Sequence, residues 1–384
     1  MSEIAAALDA VKTGDFQSRW DAAKQLEDYG DVILLPLLVA LQDSNADAEL
    51  QWFIAKILGS LNHPDAVIAL GKLLDESEDE DVRLMAAQGL ADLGADAIDC
   101  LAQYLKDPSR QMMVLRALTQ IHRPEVVPLL LEVTQAESAD VRSLVFEALD
   151  QFIDPRIIGA LLAGLRDVSP DVRQVAIASL AVRTQEYPPE DLVEHLIPCL
   201  ADANLGVVIQ AARALGRLGM DRGAIALIQK CGEPKADPAL QQALIQALGW
   251  TGSAVAQAGL MEIWQTLVQT IPLPELLLQE ILSSISDPSA AEWVLGVVRS
   301  PILQQSPTLR AKAMLTLGQI GSPGLFPLLI ECLDDPDFSV RLHIVAALKH
   351  IDASLAYAAV QQRLKDGEIG DRLGEGLAIA LREW

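Results

Sequence analysis

Apolar residues along this chain fall at helical spacing, in blocks that recur about every 32 residues. One column of the recurrence is leucine: Leu26, Leu58, Leu90, Leu118, Leu149, Leu180, Leu215, Leu248, Leu282, Leu317 and Leu348. Four positions ahead of each stands another apolar residue, from Ala22 and Ile54 to Ala313 and Ile344. Residues four apart share a helix face, so each block ends in an amphipathic helix. Gly30, Gly94, Gly219, Gly252 and Gly321 follow the leucine by four, where a helix stops in the left-handed conformation. Asp or Ser ahead of the helix supplies the N-cap. Between copies lies a second apolar helix, as in residues 32–41, 124–134 and 325–333. Two helices per short period, with no strand signal, predict an all-α solenoid of stacked helical pairs.

Eleven units and a terminal pair account for residues 1–384 as one continuous domain. Residues 1–30 form the N-terminal unit. Residues 353–384 form a C-terminal capping pair, whose last helix is expected at about 368–383. Residues 253–270 read as a longer first helix, and residues 300–307, with two prolines, read as a loop. The longest charge-free stretch, residues 238–261, contains Gln241, Gln246, Gly249 and Gly252 and reads as two helices and a turn, not a membrane span.

The run Asp81-Val82-Arg83-Leu84-Met85-Ala86-Ala87-Gln88-Gly89-Leu90-Ala91-Asp92-Leu93-Gly94 resembles a HEAT-like repeat, of the short form named after phycobilisome lyases. The resemblance covers essentially the whole chain. It implies a right-handed α-solenoid of about twelve pairs, with the second helices lining the concave face. Members of that group include bilin lyases, phycobilisome-degradation factors and partners of iron–sulfur carriers. The HEAT-like hydroxylases that hold two irons carry His-Glu dipeptides. None occurs among the contexts of His63, His122, His195, His343 and His350.

Charge narrows the partners. Lys and Arg number 29 against 53 Asp and Glu, a formal net charge of −24. Such a chain repels phosphate backbones and gains nothing from an anionic membrane. The opening Met1-Ser2-Glu3-Ile4 lacks the basic and apolar regions of a signal peptide. Cys100, Cys199, Cys231 and Cys332 form no CxxC pair, which fits a reducing compartment, with the cytoplasm as default. Cys199, Cys231 and Cys332 read as small hydrophobes near the ends of first helices. Six acids between Asp75 and Asp81 lack the glycine of a calcium loop and read as a solvated turn. The column Arg19, Arg83, Arg142, Arg173, Arg310 and Arg341 follows the repeat, so each arginine is expected to reach acidic or carbonyl groups in the neighbouring unit's turn. Nothing here forms a catalytic constellation, a cofactor site or a metal site.

The remaining signal lies one and two places after the arginine slot. Trp20, Trp52 with Phe53, Leu84 with Met85, and Met112 with Met113 occupy it in four consecutive units. Lys24, Lys56 and Arg116 share their face one turn on. The row predicts an apolar strip edged with cations that holds another protein through a helix, terminus or loop. The expected function is a non-enzymatic scaffold, adaptor or assembly factor. The resemblance adds two alternatives: a bilin lyase or chaperone-like factor for phycobiliproteins, and a docking partner of an iron–sulfur carrier. The register itself makes a prediction. Leu180→Ala should cost about 2–5 kcal/mol in urea denaturation, and a loss below about 0.5 kcal/mol would place Leu180 off the core face.

Overall fold

A computed structural model describes residues 2–43, 46–233, 237–270, 272–365 and 369–384. All regular structure among these residues is helical, and the fold is an all-α solenoid. The chain divides into two compact units, Met1–Ser179 and Leu180–Trp384. In the first, the second helices of the repeat are Phe16–Glu27, Ala48–Leu58, Glu80–Leu93, Gln111–Gln120 and Ala139–Leu149. First helices such as Leu34–Leu41, Pro64–Glu76 and Pro155–Gly164 alternate with them. The second unit repeats the alternation with Leu205–Leu218, Asp221–Cys231, Pro238–Thr251, Ala254–Leu267 and their successors.

The leucine column is the core. All eleven leucines have no exposed surface, and the residue four before each is buried as well. Local chemistry sets the helix ends. Asp15, Asp47, Asp79, Asn204 and Ser306 accept backbone N–H bonds from the first turns of their helices. The five repeat glycines all have positive φ, from 58° to 75°. At Gly94, φ 68° with ψ −129° is a region that side chains do not tolerate. The charge-free stretch is two helices, Pro238–Thr251 and Ala254–Leu267, broken at Gly252. Among the described residues no helix is long and apolar enough to cross a membrane.

Two boundaries differ from the sequence expectation. Residues 300–307 are not a plain loop: Pro301–Gln305 is a short helix, with proline in the first turn where its missing N–H costs nothing. The last helix begins at Asp371; Glu368 lies outside the described residues. Phe338–Lys365 runs from a repeat helix into the capping pair and turns at Asp352. The Asp352 carboxylate accepts the N–H groups of Ser354 and Leu355, each at 2.9 Å, and so restarts the helix.

Successive units are joined in two ways. The first is polar. The arginine slot turns back onto its own unit: Arg83, Arg142, Arg173, Arg310 and Arg341 each donate to the carbonyl six residues earlier, at 2.6–2.9 Å. Gln111 does the same to Leu105. Arginines of the column also reach forward. Arg142 holds both oxygens of Asp167 at 2.7 and 2.8 Å, Arg310 holds Asp335 at 2.7 and 3.1 Å, and Arg19 meets Asp47 at 3.2 Å. The backbone carbonyls of Asp167 and Asp335 are in turn the acceptors for Arg173 and Arg341. One residue therefore ends one unit's contact and begins the next. The second joint is dry. A Cβ on Gly59 would lie 2.6 Å from Gly89 Cα, one on Gly216 2.6 Å from the Ala247 carbonyl, and one on Gly318 2.7 Å from Ala347 Cα. Only small residues let these helices approach so closely.

The Arg142 guanidinium holds the Asp167 carboxyl below the usual carboxylate range. A carboxylate depressed in the native state stabilises fully above its unfolded value, about 3.9, and the contribution fades as pH falls toward the native value. Asp167→Asn should cost about 3–5 kcal/mol at pH 7, because it strands a nearly buried Arg142. The variant should also lose part of the steepening of wild-type destabilisation below about pH 4. Urea denaturation at pH 7 and 3.5 checks both; equal wild-type and variant stability at pH 7 would show that the pair does not join the units.

Candidate protein-binding surface

The second helices of the first unit bring the predicted row together, unevenly. Trp20 is 39% exposed and Leu84 51% exposed. Trp52, Met85, Met112 and Met113 are half-buried. Phe53 is a correction: it has no exposed surface and belongs to the core. The other residues two places after the slot are less buried: Asp21 is exposed, and Met85 and Met113 are half-buried. Phe53 is the floor on which the exposed aromatics rest. Trp52 meets it edge-on at 5.0 Å, Trp20 at 6.4 Å, and Phe16 packs at 5.4 Å. Trp20 and Trp52 stack across consecutive units at 6.3 Å.

The cations are less free than the sequence suggests. Lys56 Nζ donates to Glu27 Oε1 at 2.5 Å and lies 5.3 Å from the centre of the Trp20 ring. Its charge is spent inside the protein, on the joint between units. Lys24 and Arg116 are exposed, and among the described residues their side chains have no polar partner. Gln88, at the same slot in the third unit, exchanges hydrogen bonds with Gln120 of the fourth at 2.7 and 3.1 Å.

Other candidates resolve into structure. The arginine column is the polar joint described above. Within the acidic run, Asp79 caps its helix through Asp81 and Val82 N–H, and Asp75 pairs with Arg110 at 2.8 Å. Among the described residues no group of His, Cys, Asp or Glu converges as a metal site. The cysteines are half-buried. Burial pushes the Cys231 and Cys332 thiols up to about 11, so both stay protonated at neutral pH and are poor nucleophiles. His343, in the same unit as Cys332, is bonded through Nδ1 to the Ser339 carbonyl at 2.7 Å.

Two features lay outside the sequence expectation. Phe16, 56% exposed, extends the aromatic row, and its place four residues before Trp20 on one helix face was the available signal. On the first helices, Val32, Leu35, Val39 and Ile68 are exposed, and a groove of about 530 Å³ is lined by Leu38, Leu41, Ile68 and Leu73 together with the polar Asp65, Lys72 and Glu76. The signal there was the octet Leu34–Leu41, which has no polar residue and therefore cannot bury every side.

Truncation separates floor from surface. Phe53→Ala should cost about 3–5 kcal/mol of folding stability, whereas Trp20→Ala should cost well under half as much, because its ring is already wet. Thermal melts of the two variants check this; equal losses would put Trp20 in the core.

The family model for HEAT repeats matches residues 34–113, 107–181, 158–235 and 297–381. Comparison with curated proteins gives no match. Among solved structures the chain is similar to Kap121p, at 14% identity and TM-score 0.60, over 94% of this chain and 46% of that one. It is similar to importin beta at 13% identity and TM-score 0.56, over 98% of this chain and 64% of that one. A complex of CpcE and CpcF of phycocyanin lyase from Nostoc sp. PCC7120 matches at 21% identity and TM-score 0.31, over 60% of this chain and 92% of that one. The chain thus spans about half the length of the Kap121p structure it matches. With repeat models covering most of its length and a buried leucine in every unit, the chain belongs to the HEAT-repeat family.

Proposed function

We propose that the chain is a protein-binding scaffold, and that a helix, terminus or loop of its partner lies along the second helices of the first unit. The observation that carries the reading is a row of half-exposed apolar side chains at one repeat slot: Trp20, Trp52, Leu84, Met85, Met112 and Met113. Tryptophan anchors interfaces because it offers large area at low entropy cost, and methionine adapts to irregular partners. The stacked Trp20–Trp52 pair is held from beneath by Phe53 and from the side by Lys56, so it is ordered before any partner arrives. Lys24 and Arg116 remain as free charges one turn along. Among similar solved structures, Kap121p is bound to the extreme C-terminus of the protein phosphatase Cdc14p, and Kap95p binds RanGDP. Those are properties of those proteins, and they support only the idea that a HEAT solenoid holds protein segments.

Native pull-down with mass spectrometry identifies the partner, and the same partner is then titrated against Trp20→Ala and Leu84→Ser. Each should weaken binding by about 2 kcal/mol or more while the melting temperature changes little. A partner that binds both variants as tightly as the wild type would place the binding surface elsewhere.

A further inference from the structure

At one end of the aromatic row the structure holds a recess with a chemistry opposite to the cationic edge the sequence suggests. It is about 310 Å³ and lies between the starts of Phe16–Glu27, Ala48–Leu58 and Glu80–Leu93. Phe16, Trp52 and Val82 form its apolar walls, and Glu49, Asp79 and Asp81 its polar rim. No lysine or arginine lines it. The Arg19 guanidinium is already committed to Asp47 and to the carbonyls of Gly14 and Lys12, and Arg83 to the carbonyls of Ser77 and Glu78. Arg19 touches Glu49 only at 3.6 Å. Asp79 uses one oxygen, Oδ1, for both backbone N–H groups it caps. Asp81 is exposed, and among the described residues no cation pairs with it.

Aromatic faces and carboxylates in one small recess suit a single type of group: a cation on an apolar stem. The ring faces carry negative charge density and attract a cation within about 6 Å. The carboxylates add charge-assisted hydrogen bonds, and the stem covers Phe16 and Val82. An anion would meet three like charges, and a purely apolar group would leave those carboxylates desolvated. The volume admits one side chain but not a helix. We infer that this recess takes an arginine or lysine side chain of the bound protein segment, fixing one end of that segment on the strip. This rests on the partner-binding reading above and names the polarity of the partner: basic at the Phe16–Asp81 end.

The probe is a blocked Gly-Arg-Gly peptide, with its citrulline counterpart, which keeps the shape and removes the charge. Binding is followed at low salt by tryptophan fluorescence and by the indole N–H signal assigned through Trp52→Phe. The arginine peptide should bind about tenfold more tightly than the citrulline one and should shift the Trp52 signal. Glu49→Gln with Asp81→Asn should weaken it about tenfold. Asp140→Asn is the control: Asp140 occupies the same slot as Asp81 two units on, is equally exposed, and lacks the aromatic walls. It should change binding less than about twofold. Both variants alter exposed side chains, and thermal melts verify that they fold. Equal binding of the two peptides, or equal loss from Asp140→Asn, would overturn the inference and leave only diffuse attraction to an acidic surface. The two readings fail separately. A natural partner lost from Trp20→Ala but indifferent to Glu49→Gln with Asp81→Asn keeps the strip and removes the recess. An arginine peptide that binds the recess, with a partner that ignores Trp20 and Leu84, does the reverse.

Discussion

Everything in this chain depends on how one short helical pair holds the next, and the governing contact is the side chain at the arginine slot. A helix pair of this length buries one apolar stripe and leaves turn carbonyls without partners. The slot answers both needs. Arg83, Arg142, Arg173, Arg310 and Arg341 satisfy the carbonyl six residues back, and Gln111 substitutes where charge is absent. Where an aspartate follows in the next unit, the same guanidinium spans the joint, as Arg142 does to Asp167 and Arg310 to Asp335. The geometry that fixes the turns also fixes which residues can face outward one and two places later. The exposed apolar row is therefore a by-product of the joint.

That dependence explains the mixed character of the row. Trp20 and Leu84 are exposed, Trp52, Met85, Met112 and Met113 are half-buried, and Phe53 alone in the row is fully buried. Rings in the seam stiffen the surface. Trp20 and Trp52 cannot swing freely, because Phe53, Phe16 and Lys56 hold them on several sides. A preformed surface of this kind gives up less entropy on binding than flexible side chains would.

Nearly all of the fold was legible in the sequence. The leucine column, the glycine stops and the capping aspartates are local signals, and each unit contacts mainly its neighbours, so local signals determine packing. The arginine column could be assigned to structure because it kept step with the repeat. The surface was less legible, for a reason visible in particular residues. Periodicity gives direction around a helix but not the distance to the next helix, so Phe53 and Trp52 looked alike although one is buried and the other half-exposed. Charge was misleading in the same way. Lys56 counts as a cation in the sequence, yet Glu27, 29 residues earlier, takes it up. The recess of Glu49, Asp79 and Asp81 draws on three helices and has no signature in any one of them.

The double use of Asp167 and Asp335 has a consequence for how such a chain can grow. Each stands six residues ahead of an arginine, accepts that arginine through its backbone, and offers its carboxylate to the arginine of the preceding unit. A segment copied from one such aspartate to the next would carry an acceptor that fits the upstream arginine and a donor that fits the downstream aspartate. The array could lengthen there without new chemistry. Around Val208, Gln241 and Glu275, which hold the slot in the second unit, no arginine is available. A copy made there would have to match the fit of Gly216 against Ala247 and Gly249 against Ser284, where a single methyl group in the wrong place would block the join. A new unit at the Arg310–Asp335 seam must satisfy both the ion pair and the close fit of Gly318 on Ala347, whereas the seams at Val208 and Gln241 rest on the close fit alone.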